Sequence, residues 1–383
     1  MDKPKVIFSF GTRPEAIKMA PVIQTFLRDP DFITKVVLTA QHREMLDQVM
    51  DIFSLRGDYD FNIMMQKQTL EFLTSTVLTK FQEVLAQEKP DLVFVHGDTT
   101  TTFACSLACF YQNVPVAHVE AGLRSFDLRN PFPEEMNRKL ADSLCTLHFC
   151  PTIHAKNNII EENIESKGIF VTGNTVIDSL FYVVNYLKEK TLESKRKDNI
   201  KKILVTLHRR ESWGKPIEAV ARAIREVVLE NEDVSVMFPI HKNPIVRESV
   251  MPILGDLSRV SIVEPMDYLS FILEMQSSYL IISDSGGIQE EAPSLGKPVL
   301  LTRLVTERPE GLESGVVRLI GTDFQTVKNE ITKLIRDPIY YQNMVRIRNP
   351  FGDGKASKRI IKETRKFFSL PVPEDLQSLS DFV

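Results

Sequence analysis

Lys5-Val6-Ile7-Phe8-Ser9-Phe10-Gly11-Thr12-Arg13-Pro14 decides the first element of the fold. An apolar run stops at a glycine, and from Pro14 to about Arg28 the apolar residues recur at helical spacing. A buried strand that feeds straight into a helix is the repeating unit of a parallel sheet. Lys35–Ala40, Asp91–His96, Val114–Glu120, Leu144–Cys150 and Ile169–Thr172 read as further strands, and a helix begins near Thr99. Strands apolar on both faces and separated by helices predict a doubly wound parallel α/β sheet.

Between about Val183 and Asn199 the chain turns polar and charged, as in Glu193-Ser194-Lys195-Arg196-Lys197-Asp198. Such a stretch predicts a linker. Six more strands follow: Lys202–Leu207, Val234–Ile240, Val260–Val263, Leu280–Ser283, Pro298–Thr302 and Val316–Leu319. The expected organisation is two Rossmann-like doubly wound domains facing a cleft. Residues 1–185 form the first, 186–200 the linker and 201–355 the second. Residues 356–383 form a basic helix and tail, with the helix returning to the first domain. Ligands of open parallel sheets bind beyond the carboxyl ends of the strands, so the residues directly after each strand matter most.

Composition narrows the function classes. Of 383 residues, 43% are apolar and 26% charged, which is ordinary for a globular chain. Basic residues number 47 against 51 acidic ones, a net charge of −4. That balance excludes a general nucleic-acid or membrane binder, so any anion site is local. Cys105, Cys109, Cys145 and Cys150 form no metal or redox spacing and read as reduced, buried thiols. The first residues lead into a strand without a leader, and no apolar run reaches membrane length. The expectation is a cytoplasmic protein.

Five strand ends carry chemistry. After the first strand, Arg13 and Lys18 place charge at a helix start whose backbone amides favour an anion, although a plain turn with solvated charges fits as well. His96-Gly97-Asp98-Thr99 offers a carboxylate at a strand end, or a helix N-cap. In His118-Val119-Glu120 the two titratable residues share one face of an extended strand, and Glu134 and Glu135 follow Pro133. Several carboxylates near one site tend to split into an acid and a base, while the last two also suit a first helical turn. His208-Arg209-Arg210-Glu211 gathers cationic and titratable groups after the first strand of the second half. Asp284-Ser285-Gly286-Gly287-Ile288-Gln289-Glu290-Glu291 is the most specific: paired glycines let backbone amides approach a diphosphate, and Glu291 is placed for a ribose diol. Neither a GxGxxG fingerprint nor a Walker-type loop is present.

Together these blocks become recognisable. Residues 11–21, 96–100, 118–124, 133–138, 208–211 and 284–293 resemble, in order, the signature blocks of the non-hydrolysing UDP-N-acetylglucosamine 2-epimerase family. The resemblance spans residues 5 to about 365. It implies a GT-B fold, usually dimeric, with the nucleotide held mainly by the second domain. It implies reversible epimerisation at C2 through loss of UDP to 2-acetamidoglucal and its return, without metal or nicotinamide. By motif match Asp98, Glu120, Glu134 and His208 are catalytic, with acid and base unassigned among the carboxylates. Arg13, Lys18, Arg209, His241, Phe271, Ser285, Gly286, Gly287 and Glu291 would bind substrate and UDP.

Some bacterial members are activated by a second UDP-N-acetylglucosamine. The resemblance places Gln41, Glu44, Lys67, Glu135 and Arg210 there, with Arg209 and His241 also close to it. Glu44 and Lys67 depart from the glutamine and arginine typical of the family. Lysine lacks the bidentate fork that suits a diphosphate, so weakened activation is expected. Rival readings are an epimerase for a diacetamido or 6-deoxy UDP-sugar, a hydrolysing epimerase, a GT-B glycosyltransferase and a catalytically silent UDP-sugar sensor.

Overall fold

The computed structural model describes residues 3–39, 43–63, 69–190, 200–209 and 212–382. The chain forms two compact units, Met1–Ser179 with Gly352–Val383, and Leu180–Phe351.

The first unit is built on seven parallel strands: β1 (Lys5–Phe10), β2 (Ile33–Leu38), β3 (Tyr59–Asp60), β4 (Leu92–His96), β5 (Val116–Val119), β6 (Leu147–Cys150) and β7 (Ile169–Val171). Their order is β3-β2-β1-β4-β5-β6-β7. The α/β doubly wound architecture expected from the sequence is therefore present. Strand β3 was not anticipated. It has two residues, pairing with Val37 and Leu38, and so short a segment carries no apolar run to detect.

Alternating side chains cover both faces of this sheet. On one face Phe8 and Phe94 are register partners whose rings stack 4.5 Å apart. Phe26, from the helix Arg13–Arg28, meets both edge-on. On the other face Ile7, Val93, Val95 and Val116 join Val77, Phe81, Ala104 and Ala108 from the helices Leu70–Glu88 and Thr100–Tyr111. Burial on both sides explains why the strands read as continuous apolar runs.

The helix Ala356–Phe367 belongs to this unit. Arg365 pairs with Asp29 and Asp31. Asp178, fully buried, accepts the amides of Ala356 and Ser357 at the start of that helix.

The second unit is built on six parallel strands: β8 (Lys201–Thr206), β9 (Val234–Pro239), β10 (Val260–Val263), β11 (Leu280–Ser283), β12 (Val299–Leu301) and β13 (Val317–Leu319). Their order is β10-β9-β8-β11-β12-β13. Ile203, Val205, Val236, Phe238 and Ile282 pack with Ile217, Val220, Ile224 and Val227 of the helix Lys215–Glu230. The polar stretch expected as a linker begins within a helix, Thr175–Lys190. Residues 191–199 lie outside the described ones. Among the described residues no helix is long and apolar enough to cross a membrane.

In both sheets the strand order reverses beside the first strand of the unit: between β1 and β4, and between β8 and β11. The chain leaves these neighbours in opposite directions, so their carboxyl ends open a crevice within each unit.

Candidate functional site

In the first unit the turn after β1 is tied by Glu15. Its carboxylate accepts the amides of Gly11 (3.1 Å) and Thr12 (2.8 Å), while its other oxygen accepts the hydroxyl of Thr99 at 2.7 Å. Those two amides, expected to be free for an anion, are thus already taken. Burial pushes the Glu15 carboxyl up, against these hydrogen bonds. Arg13 makes no ion pair among the described residues, and partial burial lowers its pKa. It remains the turn's open cation.

Thr99 caps the helix Thr100–Tyr111 by accepting the Thr102 amide. Asp98 is thereby released from capping. Its Oδ2 lies 2.6 Å from Nη2 of Arg138, and its carbonyl accepts Nδ2 of Asn137 at 2.9 Å.

Glu120 leaves β5 with φ +66, a left-handed backbone rare outside glycine. The turn breaks the strand alternation, so Glu120 and His118 do not share a face as the sequence suggested. Glu120 turns to Lys18 Nζ on the helix Arg13–Arg28, and accepts Asn174 Nδ2 at 2.8 Å. His118 instead meets Asp142 on the helix Glu134–Leu144. His96, at the end of β4, is 3% exposed with neither ring nitrogen hydrogen-bonded. Burial lowers its pKa to about 4, outweighing the nearby Glu120 carboxylate. It is a neutral imidazole beneath the Lys18–Glu120 pair.

Glu134 and Glu135 open the helix Glu134–Leu144 and differ in fate. Glu134 is half-buried and makes no hydrogen bond among the described residues. Glu135 is fully buried, accepts the amides of Ser125 and Phe126, and pairs with Arg138 at 3.0 Å.

In the second unit Asp284 is fully buried past β11 and accepts the amides of His208 and Arg209 at 3.0 and 2.9 Å. His208 Nδ1 faces the same carboxylate. Ser285 precedes the helix Gly286–Glu291. A Cβ on Gly286 would lie 2.7 Å from Arg308 Nη1, so only glycine admits that guanidinium. Arg308 also binds Glu290 at 2.6 Å and Glu307 at 2.7 Å. Glu307 is shared with Arg303 and Arg209. Its carboxyl is desolvated, yet Arg308 and Arg303 bring it down to about 2. Glu291 accepts the hydroxyl of Tyr268 at 3.1 Å, three residues before the half-buried Phe271. His241 is exposed, with Nδ1 accepting the Asn243 amide.

Thus Arg13, Lys18, Asp98, Glu120 and Glu134 gather at one edge of the first sheet. His208, Arg209, Ser285, Gly286, Gly287 and Glu291 gather at one edge of the second. Gln41, Lys67 and Arg210 lie outside the described residues. Glu44 falls in the helix Arg43–Ile52, with no side chain described. Asn174, Arg138, Asp284 and Arg308 were not named as site residues from the sequence. Asp284 directly follows β11 and Asn174 comes three residues after the end of β7, a signal that the strand-end rule could have used.

The family model described as UDP-N-acetylglucosamine 2-epimerase matches residues 24–365. The chain belongs to that family. It is 50% identical over 371 residues to the UDP-N-acetylglucosamine 2-epimerase of Salmonella typhimurium, covering 95% of this chain and 99% of the relative. The Bacillus subtilis relative of the same name is 49% identical over 364 residues, covering 95% of each. Among solved structures, the Neisseria meningitidis enzyme bound to UDP-GlcNAc is similar with a TM-score of 0.87 and 48% identity. It covers 94% of this chain and 100% of that one. An epimerase from Methanocaldococcus jannaschii in complex with UDP-GlcNAc and UDP is 33% identical, with a TM-score of 0.78 and coverage of 94% and 99%. These similar structures carry the GT-B-like, two-domain α/β fold of the family.

Proposed function

We propose that the chain interconverts UDP-N-acetylglucosamine and UDP-N-acetylmannosamine by elimination and re-addition of UDP. Supporting this reading is one observation above all: relatives near 50% identity over almost the whole chain bear the name UDP-N-acetylglucosamine 2-epimerase. The chemistry of the strand ends agrees with it.

One carboxylate among Asp98, Glu120 and Glu134 takes the proton from C2. The C1–O bond to the diphosphate breaks, its electron pair leaves with UDP, and a C1=C2 double bond forms in 2-acetamidoglucal. UDP then re-adds at C1 while a proton arrives on the opposite face of C2. The C2 proton has no adjacent carbonyl to acidify it, so the leaving diphosphate needs electrostatic help. Arg13, Lys18, Arg209 and Arg308 supply cations for it. Ser285, Gly286 and Gly287 offer close backbone approach, and Glu291 accepts from the ribose. Lys18 and Asn174 hold Glu120, and Arg138 holds Asp98, so the carboxylates are oriented before substrate arrives. The released glucal must be retained until UDP returns. A homodimer and activation by a second UDP-N-acetylglucosamine belong to the same reading, tested by light scattering and by the substrate dependence of the rate.

Proton NMR of the protein with UDP-N-acetylglucosamine in heavy water tests the reaction. The expected result is growth of UDP-N-acetylmannosamine signals with loss of the C2 proton to deuterium. Free N-acetylmannosamine and UDP would instead make it a hydrolysing epimerase. An unchanged spectrum from folded protein would overturn the assignment of this substrate.

A further inference from the structure

Asp142, fully buried on the helix Glu134–Leu144, divides its two oxygens between two strand-end turns. Oδ1 lies 2.6 Å from Nδ1 of His118, and Nε2 of that ring lies 2.7 Å from the carbonyl oxygen of Gly97. Oδ2 accepts the amide of Gly122 at 3.2 Å and Nη2 of Arg124 at 2.7 Å. Gly97 immediately precedes Asp98, and Gly122 lies two residues after Glu120. Both glycines are left-handed, with φ +64 and +83, so each chain turns off its strand there. Backbone bonds from Gly97 to Val119 and from Glu120 to Phe149 tie the turns to the sheet on one side, and the Asp142–His118 pair ties them to each other.

The hydrogens can be counted. A carbonyl oxygen only accepts, so Nε2 of His118 carries hydrogen. An amide and a guanidinium only donate, so Oδ2 of Asp142 carries none. Burial raises the Asp142 carboxyl, but His118 and Arg124 outweigh it and hold it well below the usual carboxylate range. One hydrogen is shared between Nδ1 of His118 and Oδ1 of Asp142 across their 2.6 Å contact. Arg124 is also bound by Glu162, at 2.9 and 2.7 Å. What the Asp142–His118 contact supplies is direction.

We propose that Asp142 and His118 are positioning residues: their buried hydrogen-bonded pair clamps the Gly97-Asp98 turn and the Glu120-Gly122 turn together, fixing the separation of the two reacting carboxylates. This rests on the reading of Asp98 and Glu120 as proton-handling groups. Neither Asp142 nor His118 touches substrate. Misplacing a reacting group by about 1 Å costs about 100-fold in rate, so the clamp is felt in kcat rather than in nucleotide affinity.

The full-length Asp142→Asn variant tests this. Its amide nitrogen faces Nδ1 of His118, which must then accept. Nitrogen-15 NMR of the histidine side chains should show hydrogen on Nε2 of His118 in the wild type, bonded to the Gly97 carbonyl, and the Nδ1 signal should move in the variant. With UDP-N-acetylglucosamine, kcat should fall about 100-fold while KM and UDP affinity change less than about threefold. His118→Gln keeps one N–H for the Gly97 carbonyl but loses the ring that reaches Asp142. It gives the same kinetic readout should Asp142→Asn fail to fold. A His118 ring without hydrogen on Nε2 in the wild type overturns the proposal, as does an unchanged kcat in either folded variant. If the wild type itself does not turn over this substrate, the functional reading fails, and the ring-nitrogen spectrum still decides the clamp.

Discussion

Nδ1 of His208 lies 3.0 Å from Oδ1 of Asp284, joining the first residues past β8 to the first residue past β11. These are the two strands at which the second sheet reverses its order. The carboxylate only accepts, so Nδ1 carries the hydrogen and Nε2 is turned away from Asp284. The exposed side of the ring is thus preset in one orientation.

Asp284→Asn should lower kcat about 100-fold by releasing that ring. Burial raises the Asp284 carboxyl, but His208 and the amides of 208 and 209 lower it below its ordinary value. A depressed carboxyl contributes stability above its unfolded pKa of about 3.9, and that contribution is lost as pH falls through the folded value. Urea midpoints across pH 3–8 should show a deficit in the variant at neutral pH that shrinks only in acid. A deficit that grows in acid would contradict this.

Lys18→Met should reduce C2 proton exchange about 100-fold, because Glu120 loses its cation and the diphosphate loses charge support. Lys18→Arg should not restore the rate, since a planar fork does not replace a compact ammonium wedged beside Glu120 and Asn174. Deuterium uptake at C2, followed by NMR, gives both numbers. Full activity in Lys18→Arg would refute the argument.

Gly286→Ala should weaken UDP binding about tenfold and lower the thermal midpoint. The new Cβ meets the far end of Arg308, which yields only by loosening its pairs with Glu290 and Glu307. Titration calorimetry with UDP reads the loss. Gly122→Ala provides the contrast. There the Cβ would lie 2.1 Å from the Ala155 carbonyl oxygen at φ +83, and backbone cannot yield, so soluble folded protein should be lost.

Asp178 should give the fold a pH dependence of opposite sign. Burial pushes its carboxyl up to about 6 despite the hydrogen bonds from Ala356 and Ser357. The unfolded chain then loses this proton first as pH rises. The group's contribution is full below about pH 4 and is gone above pH 6, worth about 3 kcal/mol over that range. Asp178→Asn lacks this term. Its stability relative to wild type, from urea denaturation, should improve between pH 4 and pH 7. A flat difference would refute it.

Much of the site was legible because it sits where parallel sheets place ligands. Asp98, His208 and Ser285 each follow a strand that apolar runs had located, whereas Glu120 was read into the strand Val114–Glu120 and proved to lie just past β5. Partners were less legible. Arg138 reaches Asp98 across 40 residues of sequence, and Asn174 reaches Glu120 across 54. Nothing local marks either as a partner. Apart from the resemblance, nothing in the residues separated Glu135 from Glu134, yet helix rotation buried one among the Ser125 and Phe126 amides and left the other half-exposed.

By itself, then, the sequence determined the strand–helix alternation, both sheets and the family, because hydrophobic period and signature blocks are local properties of the chain. Only the tertiary structure decided which groups are held, neutralised or left open. Glu120 turns off its strand at φ +66 toward Lys18, the His96 ring is buried without a hydrogen bond among the described residues, and Asp142 binds two turns at once. Each of those depends on desolvation and on donors brought from distant segments, quantities that exist only once the chain has folded.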